Sequence, residues 1–133
     1  MGERSKMISV ILPTYEEAEN LKRIVPELSR LFEKEKMPGE IIVVDDNSPD
    51  GTARVASDLA VSCPVKVHVR RSARGLSGAV IEGFELAQGE VCVVMDADLS
   101  HPVEKIPEMI RPILGGKCDA TVGSRYVHGG GAQ

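Results

Sequence analysis

The sequence predicts a three-layer α/β/α fold built on a mostly parallel sheet. Three observations predict it. Short apolar, β-branched runs alternate with longer segments whose apolar residues recur at helical spacing, in the order βαβαβαβαβ. The short runs are apolar throughout, as in strands covered on both faces. Polar, turn-rich segments follow the carboxyl ends of these runs, and that is where open α/β sheets bind ligands. At 133 residues, 42% hydrophobic and 27% charged, the chain amounts to about one globular domain.

Met7–Leu12 (MISVIL) reads as a buried strand that Pro13 ends. Ala18, Leu21, Ile24, Val25, Leu28, Leu31 and Phe32 then mark a helix, which Pro26 should kink or trim. Met37-Pro38-Gly39 is a break, and Glu40–Val44 a second buried strand. Asp45–Thr52 (DDNSPDGT) is dense in turn formers, and Thr52–Ala60 follows as a short helix. Val65–Val69 is a weaker third strand, because Lys66 and His68 alternate with its valines. Leu76–Ala87 is helical, with Leu76, Ala79, Val80, Gly83, Phe84 and Ala87 on one face and Gly89 as terminator. Val91–Met95 (VCVVM) is a fourth buried strand, and Val103–Leu114 a helix opened by Pro102. Ala120-Thr121-Val122 begins a fifth strand, and Gly129–Gln133 reads as a glycine loop.

Composition excludes several classes. A net charge of −4 argues against non-specific nucleic-acid binding. No run of about 18 apolar residues suits a membrane span. Trp is absent and Phe and Tyr number two each, so the core must be aliphatic. Cys63, Cys92 and Cys118 show no metal spacing and fit a reducing, intracellular setting. Residues 1–6 read as a flexible tail without a signal sequence. Ending on a glycine loop just after a strand, the chain reads as a single but incomplete domain.

Charge is unevenly spread. No acid lies between Asp58 and Glu82, an interval holding Lys66, Arg70, Arg71 and Arg74. Four polar segments project from strand ends toward one crevice: Pro13–Glu17, Asp45–Asp50, Asp96–Asp98 and Gly123–Tyr126. Asp96-Ala97-Asp98 directly follows a buried strand, and two carboxylates so spaced can hold a hard cation such as Mg²⁺ or Mn²⁺; the plainer reading is a turn capping the next helix. Asp45-Asp46 can bind metal, or accept from a base or a ribose; the plainer reading is a loop whose Asp50 or Ser48 caps the Thr52 helix, and Asp50 better suits that role. Tyr15 is a candidate base contact, and Glu17 either a ligand contact or a first-turn acid. Arg70, Arg71, Arg74, Gly75 and Gly78 suit phosphate binding and, equally, a solvated loop; Arg125 suits a phosphate clamp. No Gly-x-Ser-x-Gly, P-loop or GxGxxG pattern occurs.

Taken together, ILPTYEEAENL, IIVVDDNSPDGT, GLSGAVIEGFELAQGE and VVMDADLSHPVE resemble family 2 glycosyltransferases of the GT-A fold, in family order. MDADLSHP and VGSRYVHGGG look like the dolichol-phosphate (polyprenol-phosphate) mannosyltransferases within it. The resemblance runs from about Ile8 to Gly131 and implies the Rossmann-like, nucleotide-binding half of that fold. It implies inverting transfer of mannose from GDP-mannose to a polyprenyl (dolichyl) phosphate by a peripheral enzyme on the cytosolic membrane face. Pro13, Tyr15, Glu17, Val44 and Asp46 match nucleotide-holding positions. Asp96, Ala97 and Asp98 match the motif that binds the diphosphate through Mg²⁺ or Mn²⁺. Ser100 stands where some relatives place a further metal ligand, and Arg125 matches the arginine near the acceptor phosphate. Asp98 and Arg125 are thus the catalytic candidates, with no general base nominated.

The chain ends where that family continues, so the resemblance also implies a missing acceptor-binding part and an exposed sheet edge able to self-associate. Three other readings compete. The donor can be UDP-glucose or another sugar nucleotide. The chain can be a nucleotide-binding fragment that catalyses nothing. IIVVDD and VVMDADLSHP also superficially mimic the acidic pair and phospho-aspartate of a receiver-like phosphoacceptor domain, although a complete β–α unit precedes the acidic strand here.

Overall fold

The first strand, β1 (Ile8–Thr14), buries every side chain except that of Pro13, which is half-buried. The computed structural model describes residues 7–71, 75–97, 103–108, 120–121 and 126–128. Contrary to expectation, Pro13 does not end β1. Ile11 O accepts from Met95 N, while Thr14 O accepts from Asp46 N, so odd and even residues of β1 bond to opposite neighbours. Pro13 therefore turns its missing N–H toward the side where strand pairing has already ceased.

Helix α1 (Ala18–Glu35) runs through Pro26, which neither trims nor divides it. Leu21, Ile24, Val25, Leu28 and Leu31 are buried on both sides of the proline, and that continuous apolar face offsets the lost hydrogen bond. Lys36 ends the helix in a left-handed conformation, and Met37 N bonds back to Phe32 O. Strand β2 (Gly39–Asp45), helix α2 (Thr52–Leu59), strand β3 (Val65–Val69), helix α3 (Leu76–Leu86) and strand β4 (Val91–Val94) follow close to their expected bounds. A 3₁₀ turn at Val103–Lys105 leads into helical residues 106–108, so the expected helix starts in tighter form; Pro102 and residues 109–114 lie outside the described residues. Gly89 is not the terminator of α3, which ends on the extended residue Ala87. Instead, the backbone of Gly89 passes so close to Met7 and Ser9 that a Cβ would stand 2.7 Å from Met7 O.

The sheet order is β3-β2-β1-β4, all parallel, extended by β6 (Tyr126–His128) and β5 (Ala120–Thr121). β6 is antiparallel to both β4 and β5, and it was not expected as a strand. Tyr126 had been read as part of a site loop; it pairs with Val94 instead. β5 therefore runs parallel to β4, with the helical residues 103–108 between them in sequence, and β6 lies between the two, antiparallel to both.

Alternation along the strands divides the core. Val10, Leu12, Ile41, Val43 and Val93 pack with α1, Ala56 of α2, Val103 and Ile106 on one face. Ile11, Ile42, Val44 and Val94 pack beneath α3 on the other. The expected three layers are the observed ones. The chain steps from β1 to β2 to β3, then crosses under α3 to β4 on the far side of β1. The carboxyl ends of β1 and β4 therefore flank the point where strand order reverses, which is where such sheets open a crevice.

Candidate functional site

Register fixes what lies at this crevice. Thr14 is opposite Asp45, and Ile11 is opposite Val94, so the segments after β1, β2 and β4 leave the sheet together. The loops after β1 and β2 are laced to each other. Three successive main-chain N–H groups, of Glu16, Glu17 and Ala18, donate to Ser48 Oγ (2.8 Å), Thr52 Oγ1 (3.0 Å) and Asp50 Oδ2 (3.4 Å). These are orphan donors at the start of α1, and the neighbouring loop satisfies them. Asp50 Oδ1 also accepts from Thr52 N at 3.1 Å and from the Thr52 hydroxyl. Asp50 thus serves the first turns of two helices, the capping role expected of it, extended to α1. Burial opposes its ionisation, but hydrogen bonds from the Thr52 side chain and from main-chain N–H groups outweigh it and hold the carboxyl below its ordinary value. Glu16 and Asn47 adopt positive φ angles of 58° and 60°, so both loops turn sharply where they meet.

The two acids of the pair after β2 part company because successive side chains point to opposite faces. Asp45 is 1% exposed. Its Oδ1 accepts from Thr14 Oγ1 and Ser48 Oγ, each at 2.7 Å, and its Oδ2 from Ser48 N at 2.8 Å. It orders the loop and has little left for a metal. Asp46 turns toward the α3 face. Arg70 Nη1 donates to its Oδ1 at 2.8 Å and Gly75 N to its Oδ2 at 3.1 Å.

Arg70 is therefore neither a free phosphate ligand nor part of a solvated loop. It is 8% exposed, and its Nε donates to Glu82 of α3 at 2.9 Å. Glu82 also meets His68 Nε2 at 2.7 Å. The acidic and basic stretches do share one site, but they are joined by ion pairs within the protein. The sequence reading missed Thr52 and Glu82 as site partners, and it gave Ser48 only as a cap of α2, whereas Ser48 binds Asp45 and Glu16 N. A four-residue spacing from Ser48 to Thr52 within a turn-rich loop was visible, but nothing local tied Glu82 to a strand 12 residues earlier.

The other nominated residues fall into three groups. Tyr15 is 39% exposed at the crevice and engaged in contacts there. Glu17 is half-buried and accepts from Asn20 Nδ2 at 2.7 Å, and Pro13 is half-buried in β1. Val44 and Ala97 are core residues, 0% and 1% exposed. Asp96 is half-buried two residues after β4 and has contacts of its own. Asp98, Ser100, Arg125 and Arg74 lie outside the described residues. Among the described residues, no three His, Cys, Asp or Glu side chains stand close enough to hold a metal ion. The oxygen donors of Asp96, Asp98 and Ser100 are of the hard type that Mg²⁺ and Mn²⁺ take. No helix among the described residues is long and apolar enough to cross a membrane.

The sequence profile of Glycosyl transferase family 2 matches residues 9–133. The chain is 50% identical over 123 residues to a dolichol-phosphate mannosyltransferase of Pyrococcus furiosus, covering 92% of this chain and 34% of that one. It is 44% identical over 126 residues to a polyprenol monophosphomannose synthase of Mycolicibacterium smegmatis, covering 91% and 46%. A solved mannosyltransferase from Pyrobaculum calidifontis, in complex with GDP-Man and Mn²⁺, superposes with a TM-score of 0.64 at 26% identity over 90% of this chain and 34% of that one. The chain thus spans a third to a half of the length of these relatives. A match over nearly the whole chain sets aside the receiver-like reading.

Proposed function

This chain belongs to glycosyl transferase family 2, and from that premise we propose that it forms the donor-binding part of an inverting, metal-dependent mannosyltransferase. The donor is GDP-mannose, and the acceptor is a polyprenyl (dolichyl) phosphate met at the cytosolic membrane face. The observation that carries this reading is the 50% identity to a dolichol-phosphate mannosyltransferase across 92% of the chain. The crevice supports it, because Tyr15 and Asp96 follow β1 and β4, the strands that flank the switch point, and Asp46 follows β2 beside β1.

In this reading Pro13, Tyr15, Glu17 and Asp46 hold the nucleoside. Val44 backs it from within the core. Asp96, Asp98 and Ser100 would hold Mg²⁺ or Mn²⁺, with Ala97, 1% exposed, as the core residue of that segment. That ion, when bound, neutralises negative charge gathering on the departing diphosphate. Arg125 screens the acceptor phosphate. The acceptor is anionic at pH 7, so the new C1–O bond needs no base to form as the bond to GDP breaks. The loops after β1 and β2, hydrogen-bonded to each other, keep the donor in line, and catalysis rests on position and charge.

Calorimetric titration of GDP-mannose, with Mn²⁺ and then with EDTA, tests the proposal. Binding that needs the metal and is lost in Asp98→Ala supports it. A folded chain that binds UDP-glucose and not GDP-mannose overturns the choice of donor.

A further inference from the structure

Resting on the reading of Asp46 as a nucleoside contact, we propose that Arg70 and Glu82 are positioning residues for the donor site, setting the Asp46 carboxylate in place without touching the donor. Lys66 and His68 of the edge strand β3, and Arg70 one residue past its end, all bond to α3, at Leu86 O for Lys66 and at Glu82 for the other two. The main-chain N–H of Arg70 bonds to Asp45 O at 2.7 Å, which anchors its backbone beside the acidic loop. Its guanidinium is gripped at separate atoms. Nε donates to Glu82 Oε2 at 2.9 Å, and Nη1 donates both to Asp46 Oδ1 at 2.8 Å and to Gly75 O at 3.1 Å. Gly75 N returns to Asp46 Oδ2 at 3.1 Å. Asp46, Arg70 and Gly75 thus close a ring of hydrogen bonds. Among the described residues each oxygen of Asp46 accepts one bond, and a carboxylate oxygen has capacity for another.

An independent feature points the same way. A Cβ on Gly78 would collide with Arg70 Nη2. The first turns of α3 lack a side chain where the guanidinium lies, so the helix is shaped to hold that head group. The Glu82 carboxyl is held below its ordinary value, first by the hydrogen bond from Arg70 and then by that from His68. Arg70 is stabilised as a cation, first by Glu82. A planar fork that meets two carboxylates at fixed angles is a geometry lysine cannot reproduce.

The experiment separates positioning from direct contact. GDP and inorganic pyrophosphate, each with Mn²⁺, are titrated into the parent chain and into Arg70→Lys, Gly78→Ala, Asp46→Asn and the Asp46→Asn/Arg70→Lys pair. Circular dichroism confirms that each is folded. The expected result is GDP binding weakened about tenfold by Arg70→Lys, the size of one lost charged hydrogen bond. Pyrophosphate binding should not change. Gly78→Ala, which keeps every charge, should show the same pattern. Arg70→Lys should cost nothing further once Asp46→Asn is present. Equal weakening of pyrophosphate overturns the proposal, because Arg70 would then meet phosphate. So do additive losses in the pair. A parent chain that binds no GDP overturns the donor-site reading and this proposal together. A parent that binds GDP, with an Arg70→Lys variant that binds it equally well, overturns this proposal alone.

Discussion

Ser9 and Glu40, register partners on β1 and β2, share a hydrogen bond of 2.6 Å at the end of the sheet opposite the crevice. Both are buried, at 0% and 7% exposure. Ser9 Oγ also accepts from Gly89 N at 2.8 Å, and Glu40 Oε2 from Gln88 N at 2.7 Å, while Lys66 Nζ meets Glu40 Oε1 at 3.1 Å. This network ties the segment leaving α3 to the start of the sheet. Ser9→Ala strands the half-buried N–H of Gly89 and removes a donor to a buried carboxylate. It should cost about 1–3 kcal/mol in urea denaturation. Nucleotide affinity should stay at the parent value, because the network lies a strand's length from the crevice.

Acid should unfold the chain through three carboxyls. Glu40, Asp50 and Glu82 all sit below their ordinary values of 4.5, 3.8 and 4.5. Burial opposes this at Glu40, and hydrogen bonds from Ser9, Gln88 and Lys66 overcome it. A depressed carboxyl stabilises the fold fully above its unfolded value, and that stability drains as pH falls through the folded one. Stability should therefore be level with respect to these groups from neutrality to about pH 5 and decline below it. Glu40→Gln should flatten the decline in a series of denaturation curves from pH 7 to pH 3. An unchanged slope would count against an ionised Glu40.

Asp50 serves the N-termini of α1 and α2 at once. Asp50→Ala should cost about 1–2 kcal/mol, at the upper end for a single cap. Hydrogen exchange offers the sharper check. The amides of Ala18 and Thr52 should lose protection together, although 34 residues separate them in sequence. Loss at Thr52 alone would mean that the 3.4 Å bond to Ala18 is not formed in solution.

Helix α3 lies close on the sheet at Gly83, where a Cβ would stand 2.5 Å from Ile11 Cγ2. Gly83→Ala should destabilise by about 1–3 kcal/mol through overpacking. Combined with Ile11→Ala, the loss should be smaller than the sum of the two, since the second change empties the space that the first needs. Strict additivity in thermal or urea denaturation would refute the close approach.

Much of the architecture was legible from pattern. The runs around Val10, Ile42 and Val93 are apolar on both faces, and a strand apolar on both faces must be covered on both. The register of turn-rich segments after those runs then placed Tyr15, Asp46 and Asp96 at one edge. Two prolines misled. Pro13 read as a strand end and Pro26 as a kink or a trimmed helix start, because local rules assume a lost hydrogen bond is decisive. Pro13 instead faces the side where pairing has ended, and Pro26 sits in a helix whose buried face spans it. The strand Tyr126–His128 was not anticipated either, because a three-residue strand has too few positions to show a period.

By itself, the sequence determined the layer order, the family and the loops that carry the site, since all three are encoded in contiguous stretches. It could not say what each charge in those loops does. Adjacent acids Asp45 and Asp46 look alike in sequence, yet strand alternation sends one into a hydrogen-bonded turn and the other toward Arg70. Arg70 looked like a phosphate ligand until α3 brought Glu82 to its Nε and left room at Gly78 for its head group. Such roles depend on partners supplied by other elements, and only the folded chain decides which charges meet.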